Sequence, residues 1–334
     1  MWTIRARIVA TLAGFGALLL GSLLIAPVIG STPVSLERVF DRTVPFADNV
    51  DAQIFFVARL PRVLAAALVG AALASAGVVF QALLRNPLAT PDTLGVSSGA
   101  ALGAMLAITF NLDVNIAGVP AIPLGGFAGS LAALAIVYAL GTARRHGLST
   151  TVLLLAGVTM TAFFSALILF TQYLADLTGT FRTVRWLMGT LDVASYAPIV
   201  AALPILTPAF VAFATLTRPL DLISLGSDAA AARGVNVDRA ERLALVSASL
   251  ATGAAVSIAG PVGFVGLLVP HLVRLIVGSD HRLVLPASAL FGAAFLIGCD
   301  LVARTAFAPT ELPVGIVTAL LGGPFFLWLL LRRA

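Results

Sequence analysis

Apolar runs of about 20 residues recur along the whole chain and constrain its fold more than any other feature. A run of that length can cross the hydrocarbon core of a bilayer as an α-helix, which satisfies its backbone hydrogen-bonding groups internally. Of the 334 residues, 60% are hydrophobic and only 10% are charged, whereas about a quarter are charged in a typical soluble domain. We therefore predict an all-α polytopic membrane protein.

Hydropathy predicts about ten transmembrane helices in a single transmembrane domain that takes in residues 1–334. The first apolar run is longer than the core of a signal peptide, so we expect it to be retained as a span. The eighth span is short and lies between Gly260 and Gly278, so we expect it to be broken or partly re-entrant. The predicted spans lie near residues 8–29, 60–84, 94–110, 119–140, 150–173, 197–216, 243–261, 263–278, 284–306 and 313–331.

The arginines predict the orientation of the bundle. If the N-terminus is cytoplasmic, thirteen arginines fall in inner segments and seven in outer segments, in the direction of the positive-inside rule. We therefore expect a multi-pass protein of the cytoplasmic (inner) membrane with both termini in the cytoplasm. This topology explains the basic charge without a nucleic-acid partner. We name the two ends of the bundle the inner end and the outer end after this orientation.

Missing residue types exclude several kinds of chemistry. All 20 basic residues are arginine, and a GxxxxGK(S/T) phosphate-binding loop needs a lysine, so we do not expect this chain to hydrolyse ATP in that way. A retinal Schiff base is excluded for the same reason. The single cysteine, Cys299, excludes an intrachain disulfide and a multi-cysteine metal site. His271 is one of three histidines, and we expect a structural role for it; no metal or cofactor is predicted.

The stretch LGSDAAAARGVNVDRAER is the most polar part of the second half of the chain. Ser227 is a favourable N-cap, Asp228 suits the first turn, and Gly234 is a natural C-terminal stop, so about two turns of helix are predicted. Asp238 and Glu241 resemble a capping box for the next span. A charged loop of this kind is also compatible with an ordinary solvated connection.

Three further motifs favour structural roles. Gly95, Gly99 and Gly103 repeat at four-residue spacing, as do Gly125 and Gly129, which favours close helix packing over a direct substrate role. The segment TFRTVRWLMGTL predicts a short interfacial helix at the outer end, anchored by its tryptophan, that helps to close the path there. The pattern GVSSG matches a serine-hydrolase motif, but that motif has meaning only at a strand-to-helix turn.

Three long blocks resemble the permeases of the binding-protein-dependent ABC importers for iron–siderophores, haem and vitamin B12. They are RLPRVLAAALVGAALASAGVVFQALLRNPLATPDTLGVSSGA, GPVGFVGLLVPHLVRLIVGSDHRLVLPASALFGA and DLVARTAFAPTELPVGIVTALLGGPFFLWLLLRR. The resemblance covers nearly the whole chain. It implies a vitamin B12 importer permease-like bundle with a second permease subunit, two cytoplasmic ATPase subunits and an extracytoplasmic binding protein. No catalysis is then expected in this chain, because the partner hydrolyses ATP.

The resemblance also implies roles for individual residues. The coupling segment, about residues 217–242, would sit in a cleft of the ATPase through Gly226, Ser227, Asp228, Arg233 and Gly234. The binding protein would dock on Arg59, Arg62 and Arg304, although interfacial snorkelling also explains Arg59 and Arg62. The cytoplasmic gate would comprise Thr150, Thr151 and Asn86, although helix N-capping also explains the threonines.

These features predict an importer permease for an iron chelate, with a ferric siderophore as the expected cargo and a homodimer as the expected assembly. Cobalamin or haem is the alternative cargo, because a wide apolar path suits any bulky chelate. An ion-coupled secondary transporter is the other alternative, and it would need intramembrane acids. Only Asp300 clearly qualifies, and Arg304 lies four residues away, in position to pair with it.

Overall fold

The computed structural model describes residues 4–142, 150–193 and 195–333, and these form a helical bundle with one short β-hairpin. A π-helical turn, Ile54–Arg59, joins α3 to α4, and a 3₁₀ helix, Pro91–Leu94, precedes α5. The elements are α1 (Ile4–Ile25), α2 (Leu36–Val39), α3 (Val50–Gln53), α4 (Leu60–Leu83), α5 (Val96–Thr109), β1 (Asn115–Ile116), β2 (Val119–Pro120), α6 (Ala121–Thr142), α7 (Thr150–Leu174), α8 (Leu177–Leu187), α9 (Ala197–Ile223), α10 (Ser227–Ala231), α11 (Val237–Ala259), α12 (Val265–Val277), α13 (His281–Thr305) and α14 (Val314–Arg333). Strands β1 and β2 pair antiparallel, with Asn115 opposite Pro120.

Each of the ten predicted spans corresponds to one helix. Among the described residues, seven helices are long and apolar enough to cross a membrane, and α5, α12 and α14 are shorter apolar helices. The largest boundary difference is in α9, which continues to Ile223 rather than ending near residue 216. Hydropathy marks only the apolar part of a helix, so it misses the last polar turns around Arg218. The predicted all-α bundle is confirmed.

Contacts between distant segments agree with the predicted sorting of loops into two ends. Arg7, in the first turn of α1, donates to the carbonyl of Val277 at the end of α12 at 2.7 Å. At the opposite end, the Tyr196 hydroxyl, before α9, donates to the carbonyl of Phe56, before α4, at 2.6 Å. In both pairs the partners come from segments that the ten-span topology assigns to the same end. Which end faces the cytoplasm remains a prediction from the arginine count.

Helix α4 lies at the centre of the bundle, packed against α9, α11, α12 and α13. In the most apolar 18-residue stretch of the segment that contains α4, 78% of the residues are buried, whereas none are buried in the corresponding stretch of the peripheral helix α1. The sequence explains this position: α4 carries small or apolar residues on every face, including the run AAALVGAALASAG. A helix that is apolar all round belongs inside a bundle, and small residues let its neighbours approach closely.

The predicted glycine stripes form the contact between α5 and α6. A Cβ atom on Gly103 would overlap the carbonyl oxygen of Gly125, and one on Gly129 would overlap the carbonyl oxygen of Gly99. The two backbones can touch only because these positions lack a side chain. The interpretation of these glycines as packing residues is confirmed.

Helix α12 is as short as the sequence predicts. It has 13 residues, which is about 20 Å of helix, so it cannot cross a hydrocarbon core about 30 Å thick. Glycines with positive φ angles, Gly260 at 67° and Gly278 at 85°, interrupt the chain on either side. The residues between Gly260 and α12 are non-helical and pack at the outer end of the bundle, next to α8.

Candidate functional site

At the outer end, two acidic residues converge on one arginine. Arg62, in the first turn of α4, donates from Nε to Asp300 Oδ1 at 2.8 Å and from a terminal nitrogen to Glu311 Oε2 at 2.6 Å. Arg304 lies one turn after Asp300 on α13, and its Nε is 3.5 Å from Asp300 Oδ2, as the four-residue spacing predicts. Asp300 is fully buried, while the Glu311 side chain is half exposed. The cluster therefore runs from the protein interior to the surface.

The other two arginines predicted to dock a partner lie inside the protein. Arg59 is 7% exposed and Arg304 is 4% exposed. Arg304 donates to the carbonyl of Ala26 at 2.5 Å, and Arg59 donates to the carbonyls of Val28, at 2.7 Å, and Thr32. Both guanidinium groups thus bind the chain that leaves α1. In this structure only Arg62 of the three predicted docking residues reaches the surface.

A cavity of about 470 Å³ opens beside Arg62. Helix α8, residues 188–192 and the loop before α14 form its walls. Arg185 and Asp192, both largely exposed, pair at 3.1 Å and line this cavity together with Glu311. Neither Arg185 nor Glu311 is singled out by a sequence motif. Glu311 lies in the short loop between two predicted spans, seven residues after Arg304. An acidic residue at such a position could have indicated this site from the sequence.

The residues directly after α8 bond to two helices of the bundle at the outer end. After α8, the Thr190 N–H donates to the carbonyl of Ala259, the last residue of α11, at 2.8 Å, and the Gly189 carbonyl accepts from the Gly315 N–H in α14 at 3.3 Å. Phe181 is 73% exposed. Trp186 packs inward against the helix core, so it holds α8 to the bundle as well as lying near the interface. The predicted short helix at the outer end is present.

At the inner end, α10 forms a small capped projection between α9 and α11. Only Ala230 of its five residues is buried, and Asp228 is exposed. Gly234 has a φ angle of 82°, and the Val235 N–H returns to the Ala230 carbonyl at 3.1 Å. This pattern is a Schellman C-cap, so the predicted stop at Gly234 is confirmed.

The predicted helix starts at this end need correction. Gly226, with a φ angle of 126°, occupies the N-cap position of α10, and Ser227 is the first helical residue. The Ser227 hydroxyl accepts from Arg85 instead of from an N–H of α10. Helix α11 is capped by Asn236, whose side chain accepts from the Arg239 N–H at 3.0 Å, and Asp238 already lies inside the helix. The capping box predicted from Asp238 and Glu241 is therefore wrong.

The hydrogen bond from Arg85 to Ser227 joins the coupling segment to the loop that follows α4. Arg85 lies two residues after the end of α4 and directly before Asn86, and its φ angle of 48° is in the left-handed region that non-glycine residues rarely adopt. The Asn86 side chain accepts from the Leu88 N–H at 2.9 Å and shapes the next turn. Through this bond α10 is connected to Arg85, the residue directly before the predicted gate residue Asn86.

The other predicted gate residues begin α7. Thr150 is the first residue of that helix, and Thr151 is exposed; residues 143–149, immediately before them, lie outside the described residues. Six residues after Thr151, Gly157 touches the 3₁₀ helix Pro91–Leu94, and a Cβ at Gly157 would overlap the Thr93 carbonyl oxygen. The loop that contains Asn86 is therefore continuous with a segment packed directly on α7.

Two other sequence motifs have structural roles. Ser97 of GVSSG is buried at the start of α5, after a 3₁₀ helix and a left-handed Gly95, so the strand-to-helix turn of a hydrolase nucleophile is not formed there. The His271 ring packs edge-on against the rings of Phe325 and Phe326, with centroids 6.0 and 5.9 Å away. That contact supports the structural role predicted for His271.

The fold and the two polar ends define a multi-pass helical membrane protein with a capped helix at one end and a charged cavity at the other. Residues 18–332 match the FecCD transport family. The chain is 41% identical to the cobalamin import system permease protein BtuC of Halobacterium salinarum, over 98% of this chain and 97% of the relative. It is also 41% identical to the hemin transport system permease protein HmuU of Yersinia pestis, over 95% and 96% of the two chains.

The solved structures include a close counterpart of the same architecture. A structure described as an inward-facing conformation of a metal-chelate type ABC transporter superposes with a TM-score of 0.84 at 32% identity, over 96% of this chain and 98% of that one. The chain belongs to the FecCD transport family. It is the permease subunit of an ABC importer, with the ATPase on a separate subunit and a binding protein as a further partner, in the inner membrane. The ion-coupled transporter alternative is excluded.

Proposed function

We propose that this permease imports a bulky metal chelate and that α10 receives the motion of the ATPase. The observation that carries the proposal is the contact between Arg85 and Ser227, which links the projecting helix to the loop of Asn86. A rigid helix can transmit a rigid-body displacement, as coupling between two subunits requires. Gly226, Ser227, Asp228, Arg233 and Gly234 then form the coupling contact, and Thr150, Thr151 and Asn86 form the inner gate.

We also propose that a second copy of the chain covers the exposed face of α7. Along this face polar and small residues alternate with larger apolar ones, including Thr159, Ala162 and Ser165 next to Leu155 and Val158. Small and hydroxyl-bearing residues are typical of helix–helix contacts in membranes rather than of lipid-facing surfaces. A homodimer would place two such faces around a central path, and α7 brings no charged residue to that path.

The cargo class is supported by the named relatives. One relative is named for cobalamin and one for hemin, and the superposed structure is named for a metal chelate. A ferric siderophore, which the sequence predicts, belongs to the same chemical class. We therefore propose a metal chelate as cargo, with the ferric siderophore as first candidate and with haem and cobalamin as second candidates favoured by the named relatives.

ATP hydrolysis by the reconstituted importer tests the cargo. The permease, its ATPase and its binding protein are placed in liposomes, and hydrolysis is measured with a ferric siderophore, haem, cobalamin or free Fe³⁺ outside. We expect one intact chelate to stimulate hydrolysis and to enter the liposomes, and free Fe³⁺ to do neither. Stimulation by free metal, or by none of the chelates, would contradict the proposal.

We propose that the binding protein docks at the outer cavity through exchange of partners on Arg62. The half-exposed Glu311 carboxylate occupies Arg62 in the structure, while Asp300 holds the same guanidinium from below. An acidic residue of the binding protein would displace Glu311 and bind Arg62 in its place. Arg59 and Arg304 support this site from beneath, because they hold the exit of α1.

The exchange predicts opposite effects for its two partners. Arg62→Gln removes the docking charge, and we expect it to weaken binding of the binding protein by at least about tenfold. Glu311→Gln removes the internal competitor, so we expect affinity to rise several-fold. Surface plasmon resonance with the permease in nanodiscs measures both affinities. A decrease in affinity for Glu311→Gln would show that this carboxylate only supports the site and would overturn the exchange.

A further inference from the structure

A second polar site lies at the inner end, between α9 and α11. A groove of about 580 Å³ is lined there by residues from the last turns of α9, the end of the coupling segment and the first turns of α11. Three arginines from three different segments face it: Arg218, Arg233 and Arg239. Leu216 and Leu243 line its apolar part.

The groove carries three positively charged side chains. All three arginines are exposed, and among the described residues none of their guanidinium groups forms an ion pair or a hydrogen bond to a side chain. Among the described residues that line the groove, none is acidic. The neighbouring Asp221 is engaged by His281 at 2.5 Å instead. Three guanidinium groups around one groove favour a ligand with several anionic oxygens, such as a phosphate group.

An apolar surface continues from the groove toward the middle of the membrane. On α9, Arg218 is followed toward the outer end by Thr215 and then by Val211, which is 60% exposed. On α11, Arg239 is followed by Leu243 and then by Val246, which are 40% and 36% exposed. Residues three and four apart lie on one helix face, so each helix presents an arginine at the membrane surface and apolar side chains deeper in.

We infer that this groove binds an anionic phospholipid from the leaflet at the inner end. The phosphate lies among the three arginines, and an acyl chain follows Val211 and Leu243. An acidic segment of a protein partner would pair with the arginines but would leave the adjoining apolar surface uncovered. A phospholipid pairs with the arginines through its phosphate and covers the apolar surface with its acyl chains. Because Arg233 directly precedes Gly234, the C-cap of α10, a lipid bound there would hold the coupling helix against the membrane surface.

Lipid binding to the purified full-length chain tests the inference. The protein is delipidated in a zwitterionic detergent and titrated with phosphatidylglycerol or phosphatidylcholine, and bound lipid is counted by native mass spectrometry. We expect phosphatidylglycerol to bind at least about 30-fold more tightly, as two to three basic residues at a membrane surface provide. Arg218→Gln with Arg239→Gln should remove this preference. Arg242→Gln is the matched control, since Arg242 is an exposed arginine on α11 outside the groove.

Further outcomes separate the lipid from other anions and from a protein partner. Leu243→Asp keeps all three arginines and should still weaken phosphatidylglycerol binding, because it places a carboxylate on the acyl-chain surface. The inference is overturned if the wild type shows no preference between the lipids or if the double variant keeps it. Displacement of the lipid by an equal concentration of inorganic phosphate would show a site for free anions. A double variant that retains the lipid but no longer copurifies with the ATPase would assign the groove to the ATPase.

Discussion

Replacement of residues 227–234 by a glycine–serine linker of the same length is expected to abolish transport and the copurification of the ATPase. The bundle should still fold, because α10 buries only Ala230 and the neighbouring helices keep their own packing. What is lost is a rigid, C-capped helix and its bond to Arg85. A contact on which association depends accounts for several kcal/mol, so uptake into liposomes should fall by at least about 100-fold.

A matched replacement at the other end separates the coupling role from a general loss of structure. Residues 41–48 form an exposed loop of equal length, and a glycine–serine linker there should leave copurification of the ATPase unchanged. Arg85→Ala should have an effect on transport between those of the two linker replacements. The ATPase should still copurify, but transport should be lower, because this change removes only the link to the loop of Asn86. Full transport and normal ATPase association after replacement of residues 227–234 would show that α10 does not couple the subunits.

The sequence predicts the membrane helices well because one physical cause decides them. A bilayer has no hydrogen-bonding partners, so an apolar run of sufficient length must be helical whatever surrounds it. The same holds for local stops: Gly234 ends α10 as predicted, since its left-handed conformation is a property of one residue. The contact between α5 and α6 was also predictable, because Gly103 and Gly129 lie on faces with no side chains to separate the helices.

The polar sites could be predicted only in part, because they depend on residues far apart in the chain. Arg62 and Glu311 are 249 positions apart, and Arg85 and Ser227 are 142 apart. The periodicity of the sequence does not show that such distant residues are in contact. The family resemblance implies a role for a single residue but not the residues that it contacts. For this reason the sequence predicts a helix cap at Ser227, whose hydroxyl instead binds Arg85, and it predicts no role for Glu311. The burial of Arg304 depends on where α1 ends, which hydropathy locates only within a few residues.

Loss of the Asp300 carboxylate is expected to be the most destabilising single change at the outer end. Asp300 is fully buried and lies between Arg62 and Arg304, with Nε–carboxylate distances of 2.8 and 3.5 Å. Asp300→Ala leaves the buried Arg304 without its ion-pair partner, and removal of one partner from a buried ion pair costs about 3–5 kcal/mol. Thermal unfolding in detergent should therefore begin at a much lower temperature. Glu311→Gln is the control, because a half-exposed pair contributes less than about 1 kcal/mol.

The double variant Asp300→Leu with Arg304→Met tests whether Asp300→Ala loses stability because Arg304 is left unpaired or because side-chain packing is lost. If the cost of Asp300→Ala arises from leaving Arg304 charged and unpaired, removing both groups should restore much of the lost stability, since apolar residues of similar volume often replace a buried pair at little cost. The recovery will be incomplete, because Arg304 also binds the Ala26 carbonyl at the exit of α1. A double variant as unstable as Asp300→Ala would mean that the unpaired charge of Arg304 does not account for the cost, and that the packing and hydrogen bonds of the two side chains do.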